Sequence, residues 1–272
     1  MLITTSEILN PSIANLPSKA TVIKLCKKKG FRHNHITYST DDKDIFIKYN
    51  NASMDEAHTQ LFFYEQIMKK RDSVIRIPEI YHAFETELGL TYILMEHIDI
   101  KDKASDEQIA QAVSELISIP PPAGVFGSIS GGRIRHFFFR DREAPFHFSS
   151  AFELGDFING TLSCVRKVQR EPDNDKVDFS NEPLMCYYSD LHRDNFPVDS
   201  NGQLWVVDFQ QAGVLPSSFM TFALHSSRQR RLPLPIRKTI PVPETSNLKL
   251  ISYVSYILQI SWNMYTPGES IS

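Results

Sequence analysis

One stretch limits what this chain can become more than any other. It is Tyr187-Tyr188-Ser189-Asp190-Leu191-His192-Arg193-Asp194-Asn195-Phe196, followed by Leu204-Trp205-Val206-Val207-Asp208-Phe209. Between the two runs lies Asp199-Ser200-Asn201-Gly202, a cluster of turn formers. Phe196 and Val198 before the turn and Leu204 to Val207 after it read as two short strands. The pattern predicts a loop, a hairpin, and an acid at the hairpin's exit. The loop presents Asp190 and, five positions on, Asn195; the hairpin returns Asp208 towards them. Two carboxylates and one amide oxygen then meet on a rigid support. Hard oxygen donors of this kind suit Mg²⁺, which takes few protein ligands and adds phosphate oxygens. Phosphoryl transfer uses such a set: one carboxylate accepts the proton of an attacking hydroxyl, while an amide and a second carboxylate hold the metal. A second reading of the same residues is a metallohydrolase with Asp190, His192 and Asp194 as ligands, because their alternate spacing puts all three on one side of an extended segment. No other His-rich or acidic cluster in the sequence completes that site.

At 272 residues the chain is long enough for one large domain or two lobes, and its 42% apolar content is ordinary for a soluble globular protein. A net charge of −3 gives no reason to expect a nucleic-acid partner. Cys26, Cys164 and Cys186 are scattered, odd in number and without zinc spacing, so the expectation is a reducing, cytoplasmic setting. Met1 to Asn15 lacks the charged start and apolar core of a secretory signal. The longest uncharged run, Leu250 to Pro267, carries several Ser, Gln259 and Asn263, and reads as a buried helix rather than a membrane span. Nothing in the sequence speaks to oligomeric state.

Ser18 to Lys29 reads as a short helix, with Ser18 as N-cap, Val22, Leu25 and Cys26 on one face, lysines 27 to 29 favouring its C-terminus, and Gly30 ending it. Asn34 to Ser39 and Ile45 to Tyr49 alternate apolar with polar residues about Thr40-Asp41-Asp42-Lys43, which predicts a β-hairpin. Lys48 sits inside the second strand; its plain reading is the charged outer face of an edge strand. A helix is expected from about Ser53 to Lys70. Ser53 and Glu56 match the S-x-x-E capping box, and Ala57, Leu61, Tyr64 and Met68 recur at helical spacing.

Composition changes near Ile100. Ser105 starts a helix with Ile109, Ala112, Val113 and Leu116 on one face, ended by Pro120-Pro121-Pro122. Gly124 to Gly132 lacks the Lys-Ser/Thr that would follow a phosphate loop, so it reads as a connection. The basic and aromatic run Arg133 to Arg142 admits two readings: a contact for an anionic substrate, or a packed segment with solvated guanidinium groups. Ala151 to Asn159 looks helical and is extendable to Arg170; Glu171 to Asn181 is polar and loop-like. Arg228 to Pro243, rich in Arg and Pro, is expected to be exposed and irregular, and Asn247 to Trp262 to form the last helix.

The order D-x-x-x-x-N, hairpin, D resembles the catalytic and metal-binding loops of the protein-kinase-like fold. The wording Ser-Asp-Leu-His-Arg-Asp-Asn-Phe is most similar to the aminoglycoside phosphotransferase and choline kinase branch, particularly its fungal members. The resemblance spans roughly Ser18 to Phe219. It implies an α+β, two-lobed architecture, with a small antiparallel-sheet N-lobe over residues 1–98 and a mostly helical C-lobe over 99–272. It implies an ATP- and Mg²⁺-dependent kinase of a small hydroxylated molecule, with Asp190 as base and Asn195 and Asp208 on the metal. Lys48 would hold nucleotide phosphates, steadied by Glu56 or, in its place, Glu65. The segments Ile77-Pro78-Glu79-Ile80-Tyr81 and Leu90 to Ile98 are similar to the family's approach to the hinge. There Glu96 and Ile98 would offer backbone groups to adenine and Met95 would line the base pocket.

Three departures accompany the resemblance. No glycine-rich loop stands between Lys27 and Tyr38; Tyr188 replaces the family's His two positions before the base; and the segment after Asp208 is short and ends basic, which does not suit an aminoglycoside. The first two departures favour the alternative, a pseudokinase serving as a binding module, while the intact Asp190, Asn195 and Asp208 oppose it. A protein kinase ranks below both, because no activation segment with an A-P-E-like end is present.

Overall fold

The computed structural model describes residues 7–170, 175–226 and 232–260. Strand β1 (Glu7–Leu9) precedes helix α1 (Lys19–Lys29). The Ser18 side chain accepts the Thr21 amide at the start of α1, and Gly30 leaves the helix at φ 89°. The expected hairpin follows as β2 (His35–Ser39) and β3 (Asp44–Lys48), with His35 opposite Lys48. Then come α2 (Met54–Met68), β4 (Ile75–Arg76), β5 (Ile80–Glu85) and β6 (Thr91–Glu96). Five of these strands make one antiparallel sheet in the order β1-β5-β6-β3-β2.

Strand alternation divides that sheet's faces. Ile45, Ile47 and Tyr49 pack with Val22 and Cys26 under α1, while Ile80, Ala83, Ile93 and Met95 pack with Ala57 of α2. Strand β3 is paired on both sides, so Lys48 is not on an edge; it is buried and faces α2. The helix itself is rotated from the expected apolar stripe. Its buried residues are Glu56, Ala57, Thr59, Gln60, Phe63 and Ile67, whereas Leu61 and Tyr64 are half-buried and Met68 is exposed. Polar residues turned inward displaced the stripe: Glu56 meets Lys48, and Gln60 donates to the carbonyl of Pro78 at 2.8 Å.

The rest of the described chain carries five α-helices among short strands and irregular segments. It contains β7 (Ile100–Lys103), α3 (Asp106–Ile117), α4 (Ala151–Gln169), β8 (Leu184–Tyr188), β9 (Pro197–Asp199), β10 (Leu204–Trp205), β11 (Ala212–Pro216), α5 (Ser217–His225), α6 (Leu234–Arg237) and α7 (Leu248–Ile260). Helix α3 buries the predicted Ile109, Ala112, Val113 and Leu116, and a full capping box joins Ser105 to Gln108. Helix α4 runs unbroken through Gly155 and Gly160. Two small sheets position the site. In the first, ordered β4-β10-β9-β7, the predicted hairpin is tied through β10 to the segment that follows α2, and the Val206 amide donates to the Arg76 carbonyl at 2.9 Å. In the second, β8 and β11 pair antiparallel and flank the loop that carries Asp190.

Three connecting segments are more buried than their sequences suggest. The loop 124–132 buries Val125 to Ser130, and Gly127 bridges Val214 of β11. A side chain at Gly213 would overlap the Gly127 carbonyl, so this close approach depends on glycine. In the run 133–142, Ile134, His136 and all three Phe are buried, while Arg133, Arg140 and Arg142 are exposed. That agrees with the packed reading for the aromatic residues. Part of the segment expected to be irregular at 228–243 lies outside the described residues; from Leu232 on it contains the one-turn helix α6 and buries Leu232 and Ile240. The expected end of the last helix at Trp262 also lies outside the described residues.

Candidate active site

Lys48 ends β3, Glu56 sits in the first turn of α2, and Asp208 follows β10. These three elements bring their charges to one point. The Lys48 ammonium lies 2.5 Å from Glu56 Oε1 and 3.1 Å from Asp208 Oδ1. Burial alone would lower the Lys48 pKa, but Glu56 and Asp208 outweigh it and hold the ammonium protonated. Burial pushes Glu56 up, against the pull of Lys48. Half of the expected capping box forms: the Ser53 hydroxyl accepts the Glu56 amide at 3.1 Å, while the Glu56 carboxylate is taken by Lys48 and, at 3.3 Å, by Gln210. Glu65, the substitute partner, is exposed.

Asp208 adopts a left-handed backbone, φ 63° and ψ 75°, an uncommon conformation that Asp tolerates better than most side chains. It is held there from both sides. Phe209 is fully buried against Phe63 of α2 and against Tyr188, with ring centroids 5.3 and 5.5 Å away. The Tyr188 hydroxyl reaches the carbonyl of Val207. The residue that departs from the resembled motif therefore braces the loop through its hydroxyl.

Asp190 follows β8 and lies beside Asp208. Burial and the Asp208 charge raise its pKa, while Arg142, the Asn195 side chain and the His192 backbone pull it down. Gln211 donates to Asp190 Oδ2 at 3.2 Å, and Asn195 Nδ2 donates to the Asp190 carbonyl at 3.1 Å. With Nδ2 spent in this way, Asn195 has its Oδ1 left to offer a cation, and Asp208 has the oxygen not engaged by Lys48. Those donors are all hard oxygens. Among the described residues no group of three His, Cys, Asp or Glu is placed to hold a metal alone. An ion here would need further oxygens, as Mg²⁺ obtains from phosphates. The hydrolase trio does not assemble: Asp194 pairs with Lys103 and with His192 at the surface, away from the half-buried Asp190.

Glu96 and Ile98 lie where β6 leaves the first sheet. The Glu96 amide is committed to the Glu79 carbonyl at 2.9 Å, and the Ile98 carbonyl receives the Ile100 amide at 3.0 Å. Met95 is buried on the α2 side of the sheet, its sulfur 3.6 Å from Gln60 Nε2. A separate cavity of about 600 Å³, between α1 and β2, is lined by Lys28, Lys29, His33 and His35 among others and by none of these residues.

Sequence reasoning missed Gln210, Gln211 and Arg142. The two glutamines follow Asp208 and Phe209 directly, and only that adjacency marked them; Arg142 was one cation in a basic run.

No protein-family model matches the chain, and no curated protein matches it. Solved structures do. A protein from Haemophilus somnus 129PT assigned as a fructosamine-3-kinase is 15% identical, with 87% of this chain and 82% of that one covered and a TM-score of 0.51. The chain has a protein-kinase-like fold. Choline kinase LicA from Streptococcus pneumoniae (13% identity, 88% and 84% covered, TM-score 0.43) is also similar. So is spectinomycin phosphotransferase APH(9)-Ia, crystallised with ADP and spectinomycin (12%, 84% and 77%, TM-score 0.46). On this kinase-like fold, the antiparallel sheet supplies Lys48 and the later hairpin supplies Asp208. Among the described residues no helix is long and apolar enough to cross a membrane.

Proposed function

We propose that this chain is an ATP- and Mg²⁺-dependent phosphotransferase acting on a hydroxyl of a small molecule. The observation that carries the reading is the meeting of the buried Lys48–Glu56 pair with the half-buried Asp208, with Asp190 alongside. A fold shared with a protein assigned as a fructosamine-3-kinase admits this chemistry without selecting it.

In this reading residues 1–98 form the nucleotide lobe and 99–272 the lobe of the base and metal ligands. Lys48, kept protonated by its two carboxylates, neutralises phosphate oxygens, and Glu56 fixes where its ammonium stands. Asn195 and Asp208 would hold Mg²⁺, whose charge would offset that on the transferring phosphoryl group. The Glu96 carbonyl and the Ile98 amide receive adenine, with Met95 behind them. Asp190 accepts the proton of the acceptor hydroxyl, and Gln211 fixes the orientation of its carboxylate. Positioning and charge neutralisation supply most of the rate. We place this enzyme in the cytoplasm.

The test is a thermal-shift titration with ATP, with and without Mg²⁺, on the wild type and Asp208→Ala. Ligands that bind the native state raise its midpoint. The reading expects a Mg²⁺-dependent rise that the variant loses.

A pseudokinase is the second reading, and one observation favours it. The turn between α1 and β2, where the resembled family keeps a glycine-rich phosphate loop, has Gly30 as its one glycine and is tied back to the end of β3: the Asn34 carbonyl accepts the Tyr49 amide at 2.7 Å, and the His33 carbonyl accepts Asn50 Nδ2 at 2.6 Å. That reading expects no shift at millimolar ATP.

A further inference from the structure

The first turn of α2 is gripped from outside its own sheet, at the residue next to Glu56. Asp55 Oδ1 accepts a hydrogen bond from the Ser130 hydroxyl, which lies 3.0 Å from the hydroxyl of Ser128. Both serines are buried in the loop 124–132. A side chain at Gly132 would overlap the Asp55 carboxylate and push it aside, so glycine there lets the loop close on Asp55 in this position. The other end of the loop is anchored by paired 2.8 Å hydrogen bonds between the backbones of Gly127 and Val214. Val214 in turn lies opposite Cys186 of β8, the strand that leads to Asp190. A second arm comes from Gln210, whose amide donates to the Asn51 carbonyl and to Glu56 Oε2.

A first-turn acid favours a helix by opposing its dipole, and an exposed carboxylate can do that without a partner in another segment. Asp55 is instead turned onto buried serines. Glu56 follows it directly, so any rotation of this turn takes Glu56 off Lys48.

We propose that Asp55 is a positioning residue: through Ser130 it locks the start of α2 to the loop 124–132, so that Glu56 stays on Lys48 and Lys48 stays aimed at nucleotide phosphate. The inference rests on the phosphotransferase reading above. A carboxylate accepting a hydrogen bond contributes enough that its loss should weaken the arrangement by about tenfold.

The experiment uses the full chain and the variants Asp55→Ala, Asp55→Asn, Ser130→Ala and Lys48→Ala. Hydrogen exchange at the α2 amides Glu56 to Gln60 is read without ligand, and the Kd for MgATP is then measured. Asp55→Ala should speed that exchange and raise the Kd about tenfold. Asp55→Asn keeps the acceptor oxygen and should stay near wild type. Ser130→Ala removes the same hydrogen bond from the other side, and should reproduce the effect should Asp55→Ala fail to fold. On a Lys48→Ala background, Asp55→Ala should cost nothing further, since its only route to the nucleotide is gone. Unchanged exchange or unchanged affinity in Asp55→Ala, where Lys48→Ala does weaken binding, overturns the lock alone. So does an equal loss on both backgrounds. An unchanged Kd in Lys48→Ala overturns the phosphotransferase reading, and the lock's role with it.

Discussion

The hydroxyl of Tyr188 donates to the carbonyl of Val207 at 2.5 Å, so the residue two places before Asp190 holds the residue just before Asp208. Burial pushes the Tyr188 pKa well above its usual value, so the phenol stays a donor. Tyr188→Phe keeps the ring packing against Phe196 and Phe209 and deletes only the hydrogen bond. Urea unfolding should show a loss of about 1–2 kcal/mol. The Mg²⁺-dependent thermal shift with ATP should shrink, because the backbone that aims Asp208 is released. A variant as stable as the wild type, with an undiminished shift, would show that the bond braces nothing.

Lys48 and Glu56 are both buried, so removing one leaves the other's charge without a partner. Lys48→Met should cost about 3–5 kcal/mol in urea unfolding. Adding Glu56→Leu should return part of that loss, since an apolar pair of similar volume needs no compensation. If the double variant is no more stable than Lys48→Met, unpaired charge is not what destabilises the single one.

Asp190 makes a pH-dependent contribution of unusual sign. Its folded pKa stands above its ordinary 3.8, chiefly through burial and then through Asp208. Such an acid holds its proton more tightly when folded, so ionisation costs stability. Below 3.8 both states are protonated and there is no cost; the cost grows as pH rises from there to the folded pKa and is complete above it. Asp190→Asn should therefore melt higher than the wild type near neutral pH. The difference should close as pH falls towards about 3. Melting curves across that range check it; a variant that melts lower at neutral pH refutes it.

The turn chemistry at Asp199 to Gly202 and the flanking apolar runs were enough to place the hairpin and Asp208, because both signals are local. The same holds for Ser18 and Gly30 around α1. Helix α2 was found but its buried face was not: apolar periodicity follows Ala57, Leu61 and Met68, while Glu56 and Gln60 point inward because of partners far away in sequence. Lys48 looked like an edge residue because the pairing of β3 with β6 joins strands about fifty residues apart. Gln211 and Ser130 were illegible for the same reason; each acquires its meaning from a carboxylate in another element.

Arg142 offers the last test, since it opposes Asp208 at the same carboxyl. Asp208 raises the Asp190 pKa and Arg142 lowers it. The guanidinium is exposed, on a turn where Arg142 itself has φ 59° and its amide donates to the Phe139 carbonyl at 3.2 Å. Arg142→Ala should move the Asp190 titration to higher pH, and Asp208→Asn should move it lower. Carboxyl NMR of the labelled protein reads both directly and needs no acceptor substrate. Exposed charges are screened by salt far more than partly buried ones. The Arg142 effect should therefore fade between low and high ionic strength, while the Asp208 effect persists. Equal salt sensitivity would place Arg142 within the same sheltered space as the two carboxylates. A titration unmoved by Arg142→Ala would remove Arg142 from the groups that set the base.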